Sequence, residues 1–292
     1  MVSTAPPVER MLNVNGLVHR VCSWGTPGAD HLVLLLHGYL DTARSLDGAA
    51  TLLAQALPGV HVAAPDWRGH GDTQWAPPGA YYHFYDYVAD LAALVRALPH
   101  RRLSIVGHSM GGNIATYYTG AMPEGVGRLA LLESLLVPDS SHASGPHRVK
   151  EWLTALEGDP RGRTRILPSL EDVARRLRIT MTHLSHEDAL ALAHHASRPV
   201  EGGYAWRFDP LHRTRSPSPF RWERIRPFLK KIECPVLLCE GEHTPVPREE
   251  LDARYAEIPM AWREVIPGAA HALHVEAPEA LAAVLVPFLS GP

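Results

Sequence analysis

Residues Arg102-Leu-Ser-Ile-Val-Gly-His-Ser-Met-Gly-Gly-Asn-Ile-Ala-Thr-Tyr117 decide the fold of this chain. Residues 103–106 form a short apolar run with β-branched members, which predicts a buried strand, and the residues from Met110 onward have helical spacing. Between them stands a G-x-S-x-G pentapeptide, which forms a sharp strand-to-helix turn with glycine on both sides of the serine. The pattern therefore predicts that Ser109 projects above the first amides of a helix, where the helix dipole favours a developing oxyanion.

Composition excludes several classes of protein. The chain has 292 residues, 46% apolar and 20% charged, which suits one large globular domain with or without an insertion. The net charge of −3 gives no electrostatic reason to expect a nucleic-acid partner. Three cysteines do not make a disulfide framework, the first residues lack the pattern of a secretory signal, and no apolar run is long enough to span a membrane. We therefore predict a cytoplasmic protein.

Strands and helices alternate along most of the chain. Asn15-Gly16 predicts a hairpin turn, because both positions of such a turn need a positive φ. Continuous apolar runs predict strands that are buried on both faces of a mostly parallel sheet, at residues 31–36, 60–64, 128–132 and 235–239. Helical patterns separate these runs at the spacing of right-handed crossovers, so we expect a doubly wound α/β sheet.

Residues 138–227 break this alternation, since they contain helical patterns and no convincing buried strand. The sequence therefore predicts a core of residues 1–137 and 228–292 that carries a mainly helical cap of residues 138–227. Four aromatic residues of the insertion form either a lid over Ser109 or the small core of the cap itself: Trp152, Tyr204, Trp206 and Trp222. Its histidines, His183, His186, His194 and His195, lack the spacing of a zinc motif, so we expect no metal site.

A serine hydroxyl needs a base to become a nucleophile, and the base needs a carboxylate to orient it. The stretch Pro267-Gly-Ala-Ala-His-Ala-Leu-His274 supplies two candidate bases. We favour His271, because a loop position after a strand suits the last member of a triad in the order serine, acid, histidine. His274 is the alternative, and it lies nearer the last helix.

Four motifs together resemble the α/β-hydrolase family: His37-Gly38, Asp66-x-Arg68-Gly-His-Gly71, Gly107-His-Ser-Met-Gly-Gly112, and Gly268-Ala-Ala-His271 with Val275-Glu-Ala-Pro-Glu279. The resemblance implies that family's fold with a variable cap at the insertion. The pattern is also similar to the serine hydrolase-like proteins of this family. Because this fold supports many reactions, the resemblance is less specific for chemistry than for architecture.

The acid is where the sequence departs from the commonest family pattern. Many relatives place an aspartate where Gly241-Glu-His-Thr244 has its threonine. Glu133, which follows the strand after the predicted elbow helix, is our choice, since it resembles the acid of some haloalkane dehalogenases and luciferase-like relatives. Glu240 and Glu242 are the alternatives.

The resemblance also implies an oxyanion hole made by the backbone amides of Tyr39 and Met110. We expect His108 and Trp206 to contact substrate, and Asp66 and Arg68 to hold their loop by a salt bridge. Serine at the elbow implies an acyl-enzyme formed from a small-molecule ester, thioester or lactone, with no cofactor. A ligand-binding protein with little or no turnover is the second hypothesis, and C–C hydrolysis or perhydrolysis with the same triad is the third.

Overall fold

The computed structural model describes residues 6–137, 145–162 and 164–291. The strands of this part of the chain are β1 (Val8–Val14), β2 (Leu17–Gly25), β3 (His31–Leu36), β4 (Val60–Pro65), β5 (Arg102–His108), β6 (Arg128–Leu132), β7 (Ser197–Val200), β8 (Gly203–Trp206), β9 (Val236–Gly241) and β10 (Ala261–Ile266). The helices are α1 (Asp47–Ala56), α2 (Phe84–Ala97), α3 (Met110–Ala121), α4 (Gly145–Glu157), α5 (Leu170–Thr180), α6 (His186–Ala196), α7 (Trp222–Leu229), α8 (Arg248–Tyr255), α9 (Leu273–Glu276) and α10 (Pro278–Ser290).

Eight strands form one sheet in the order β1-β2-β4-β3-β5-β6-β9-β10. The β1–β2 and β2–β4 pairs are antiparallel. The other five pairs of this sheet, β4–β3, β3–β5, β5–β6, β6–β9 and β9–β10, are parallel. Asn15 and Gly16 turn the β1–β2 hairpin with φ values of 50° and 76°, as predicted. The predicted doubly wound, mostly parallel sheet is confirmed.

Both faces of the sheet are covered, which is why its central strands are apolar throughout. All six residues of β3 are buried. Leu32, Leu34 and Leu36 pack in the cluster that includes α2, α3, α7 and α8, whereas Val33 and Leu35 pack in the cluster that includes α1 and α10. The two clusters hold the carboxyl ends of the parallel strands in fixed register.

The cap has a small core of its own. Helices α5 and α6 pack around buried apolar residues that include Leu167, Val173 and Leu192. Strands β7 and β8 form an antiparallel hairpin within the cap, which the sequence analysis missed because both strands are short and only partly buried. The expected start of the cap at residue 138 lies in a segment, 138–144, outside the described residues.

The expected end of the cap, at residue 227, falls inside α7. This helix packs on α3 of the core, where the Phe228 ring lies 4.5 Å from the Tyr117 ring and its backbone touches Gly120. The limits of the cap therefore stay predictions. Within the described residues, no helix combines the length and apolar character that crossing a bilayer requires.

Candidate active site

Ser109 lies at the junction of β5 and α3 and has a positive φ, with φ 50° and ψ −114°. The bend is so tight that the flanking glycines have no room for a side chain. A Cβ on Gly107 would lie 2.6 Å from Gly112 Cα, and one on Gly111 would lie 2.4 Å from the carbonyl oxygen of Leu36. Strain of this kind persists only where the surrounding structure enforces it, and here it presents the hydroxyl at the strand end.

His271 reaches Ser109 from the far end of the chain. It lies in the loop between β10 and α9, and its Nε2 is 3.2 Å from Ser109 Oγ. The imidazole side chain is 41% exposed, so substrate and water have access to it. The spacing lets Nε2 accept the hydroxyl proton when its tautomer carries hydrogen on Nδ1.

Glu133 occupies the other side of that imidazole. Its Oε2 is 3.3 Å from His271 Nδ1, and the carboxylate is fully buried. The Gly241 amide donates to Oε1 at 2.8 Å, and the Thr244 hydroxyl donates to Oε2 at 3.1 Å. These donors hold the carboxylate toward the ring.

The register of three neighbouring strands brings these residues together. His108 at the end of β5 pairs with Leu132 of β6, which pairs with Cys239 of β9. Ser109 and Glu133 therefore leave the sheet at the same level. Both residues have positive φ, which turns the chain away from the strand direction at that point.

The alternative acids serve other partners. Glu240 is buried between two arginines, with Arg263 Nη2 at 2.5 Å from Oε2 and Arg248 on the other oxygen. Glu242 accepts a hydrogen bond from the Gly268 amide at 2.8 Å. Both groups are thus engaged by partners other than His271.

The expected oxyanion amides flank Ser109. Met110 opens α3, where its amide is one of the first unpaired donors of the helix. The loop of Gly38 and Tyr39 lies against the elbow, because a Cβ on Gly38 would be 3.4 Å from Ser109 Cβ. The Tyr39 amide donates to no acceptor among the described residues. Its side chain is directed elsewhere, since the hydroxyl donates to the carbonyl of His212.

His37 holds the loop of Gly38 and Tyr39 by a hydrogen bond to the Gly38 carbonyl. The Trp67 amide donates to His37 Nε2 at 3.0 Å, so the proton lies on Nδ1, which donates to the Gly38 carbonyl at 2.8 Å. Burial lowers the pKa of His37, which keeps the ring neutral. The Gly38 carbonyl is thereby fixed by a hydrogen bond to the residue before it.

The structure does not support a substrate contact for His108. Its side chain is buried, and its Nε2 lies 2.8 Å from the carbonyl oxygen of His271. Burial, together with the neighbouring His274 and His271, holds its pKa well below the usual range, so the ring is neutral. His108 therefore supports the loop that carries His271, and the sequence analysis missed this role because the two residues are far apart in the chain.

His274, the rival base, lies on the buried side of the site. It is 1% exposed, and its Nε2 is 3.6 Å from Asp41 Oδ2. Helix α9 begins one residue earlier and turns this side chain inward. The structure thus brings His271, and not His274, to the serine.

Of the aromatic residues of the insertion, Trp206 packs within the cap and Trp152 packs against the core domain. Trp206 stacks on Phe208 at 5.7 Å and packs against the cap core, where it lines a cavity of about 440 Å³. Trp152 contacts Tyr81 of the core at 5.4 Å. A substrate contact for Trp206 stays a prediction, and the cavity that it lines is formed by cap residues.

Asp66 and Arg68 hold their loop as expected, but not by pairing with each other. Arg20 Nε donates to Asp66 at 2.7 Å, and Arg68 Nε donates to Asp90 at 2.6 Å. Both carboxylates are buried, so these pairs tie the loop after β4 to β2 and α2. The partners come from distant segments, which a local motif does not reveal.

Comparison with known proteins finds relatives over most of this chain. Residues 33–284 match the alpha/beta hydrolase family. A serine hydrolase-like protein of Danio rerio is 28% identical over 282 residues, which cover 91% of this chain and 83% of that protein. The solved thioesterase domain from the curacin biosynthetic pathway is 29% identical with a TM-score of 0.84, covering 97% of this chain and all of that domain.

A hypothetical protein of Pseudomonas aeruginosa PAO1 is similarly close, with 29% identity, a TM-score of 0.86, and coverage of 97% of this chain and 98% of that one. The chain belongs to the alpha/beta hydrolase family. Its similarity to serine hydrolase-like proteins and to a thioesterase domain supports a hydrolase in general terms.

Proposed function

We propose that this protein is a serine hydrolase that cleaves a small or medium acyl ester or thioester through an acyl-enzyme. The observation that carries the proposal is one imidazole with Ser109 Oγ at 3.2 Å from Nε2 and Glu133 Oε2 at 3.3 Å from Nδ1. A partly exposed serine with a base and an orienting acid is the arrangement that activates a hydroxyl for acyl transfer.

In the first half-reaction, Ser109 Oγ attacks the substrate carbonyl carbon as its proton moves to His271 Nε2. The amides of Met110 and Tyr39 stabilise the oxyanion, and Glu133 stabilises the imidazolium through Nδ1. The imidazolium then gives its proton to the leaving alcohol or thiol, and the acyl group stays on Ser109. In the second half, His271 takes a proton from water as the water oxygen attacks the acyl carbon. The bond between that carbon and Ser109 Oγ then breaks, His271 returns the proton to Oγ, and the acid leaves.

Thioesters deserve equal weight with oxygen esters. The solved thioesterase domain to which this chain is similar aligns over 97% of the chain. A serine triad accepts either leaving group, because the attacked atom is the carbonyl carbon in both.

A fluorophosphonate probe tests the proposal directly. We expect the probe to label the wild-type protein rapidly. The Ser109→Ala variant should keep the same fold and should not be labelled. A panel of matched p-nitrophenyl esters and acyl thioesters of increasing chain length then defines the substrate. If the folded wild-type protein is not labelled at Ser109, the hydrolase proposal is rejected and the ligand-binding hypothesis is favoured.

A further inference from the structure

A second cluster of polar side chains lies behind the triad, formed by Asp41, His108 and His274. They come from the loop after β3, the end of β5 and helix α9, and their exposed fractions are 6%, 3% and 1%. One potential ligand atom from each lies within 4.8 Å of the other two. None of these three side chains has a direct part in the proposed acyl transfer.

Three ring nitrogens of the cluster are buried without a hydrogen-bond partner. Neither ring nitrogen of His274 has a hydrogen-bond partner, and neither has Nδ1 of His108. The contact of His274 Nε2 with Asp41 Oδ2, at 3.6 Å, involves only one of these three atoms. Buried polar atoms without partners are rare in folded proteins, and several in one place indicate that something else binds there.

We propose that Asp41, His108 and His274 bind a divalent transition-metal ion of the Zn²⁺ type. Two imidazoles and one carboxylate are the donor set that Zn²⁺ prefers, with a fourth position left for water. Mg²⁺ and Ca²⁺ take oxygen ligands and suit two imidazoles poorly. Zn²⁺ holds nitrogen and oxygen ligands at about 2.0–2.2 Å, so an ion would hold the three ligand atoms, which lie within 4.8 Å of one another, at no more than about 4.4 Å apart.

The surroundings orient the proposed ligands. His108 uses Nε2 to contact the His271 carbonyl at 2.8 Å, which leaves Nδ1 for the ion. A metal-binding histidine commonly donates its other N–H to a backbone carbonyl in this way. Asp41 is held by the Thr42 amide at 2.8 Å and by the Ser45 hydroxyl at 2.7 Å.

Solvent comes close to this buried cluster. The His271 ring is 4.9 Å from the His108 ring, and its side chain is 41% exposed. The same proximity means that the ion must be distinguished from one captured by His271 and Glu133.

The experiment measures Zn²⁺ binding by calorimetry and Co²⁺ binding by its visible absorption, after chelation and without a histidine tag. Both are done in Ser109→Ala, so that the result is independent of acyl chemistry. We expect one ion per chain. Outer-shell partners of zinc ligands are each worth about 10–100-fold in affinity. Asp41→Asn and His274→Gln should therefore weaken binding by about 100-fold or more.

Two controls identify the site. His271→Gln should retain the ion, because the triad is not its ligand. His183→Ala/His243→Ala should also retain it; these exposed histidines stack at 4.9 Å and form the obvious surface competitor. If Asp41→Asn or His274→Gln fails to fold by circular dichroism, His108→Asn takes its place. Absence of binding, or its loss in either control alone, would overturn the proposal and leave the proposed hydrolase untouched.

Discussion

The Thr244 hydroxyl donates to Oε2 of Glu133 at 3.1 Å, the same oxygen that faces His271 Nδ1 at 3.3 Å. Position 244 is where the family resemblance leads one to expect the acid itself. Here the carboxylate beside the imidazole follows the neighbouring strand, and the threonine hydroxyl is hydrogen-bonded to it. With the Gly241 amide on the other oxygen, the carboxylate has one orientation toward the imidazole.

Glu133→Gln should lower kcat by about 10³–10⁴-fold with the fold intact, because loss of the orienting carboxylate from a serine triad has an effect of about that size. Steady-state hydrolysis of an accepted ester measures it. Glu242→Gln is the matched control, since Glu242 is exposed and contacts the Gly268 amide. A large loss in the control with none at Glu133 would move the acid to position 242.

Thr244→Val should lower kcat by about 10-fold, since a hydrogen bond to a charged group is worth about 1.5–3 kcal/mol and about 1.4 kcal/mol is a factor of ten. Thr244→Ser retains the hydroxyl and should stay near wild type. The ratio of the kcat values of Thr244→Ser and Thr244→Val measures the effect of the hydrogen bond apart from that of lost packing. Equal rates would show that the hydroxyl has no part in orienting Glu133.

A carboxylate at position 244 should replace the one at 133. In Glu133→Gln/Thr244→Asp, the new aspartate is at the position that the common family pattern uses, beside the imidazole. We expect kcat to recover by about 10-fold or more over Glu133→Gln, a gain of about 1.4 kcal/mol in transition-state stabilisation. Single-turnover acylation rates decide this, and Glu133→Gln/Thr244→Asn is the uncharged control.

Gly111→Ala should destabilise the fold by about 1–3 kcal/mol or more, because the added Cβ meets rigid backbone. It would lie 2.4 Å from the Leu36 carbonyl oxygen and 2.8 Å from that of His37. Gly125→Ala is the control, since its nearest contact is 3.9 Å away. Urea denaturation measures both, and a stable Gly111→Ala would contradict the tight packing of the elbow.

Protonation of His212 should weaken the fold at acid pH. Burial lowers the pKa of this histidine to about 4 from an ordinary value of 6.5, although Asp209 opposes the shift. Between these values the unfolded chain holds a proton that the folded protein does not. The free energy of unfolding therefore stays highest above pH 6.5 and falls as the pH drops toward 4, by about 1–3 kcal/mol from this group.

Denaturation at a series of pH values tests this expectation. His212→Gln should have a shallower decline between pH 6.5 and 4 than the wild type, whatever its stability at neutral pH. His147→Gln changes a histidine whose side chain is 68% exposed and should leave the slope unchanged. Parallel profiles for His212→Gln and the wild type would reject the assignment.

Much of the site was predictable because its chemistry is local. The glycines around Ser109 are required by a bend of five residues, and the apolar runs of β3 to β6 report burial on two faces. His271 was identified from its loop after a strand. His108 was misassigned, because its contact with the His271 carbonyl joins residues 163 positions apart.

The sequence by itself determined the sheet and the elbow, and it predicted Ser109 and His271 as nucleophile and base, since each depends on the chemistry of neighbouring residues. Only the tertiary structure decided which glutamate faces the imidazole. That choice depends on how β5, β6 and β9 align, because the alignment sets Glu133 level with Ser109 and leaves Glu240 between two arginines. Register between distant strands is a property of the packed core, and no short segment encodes it.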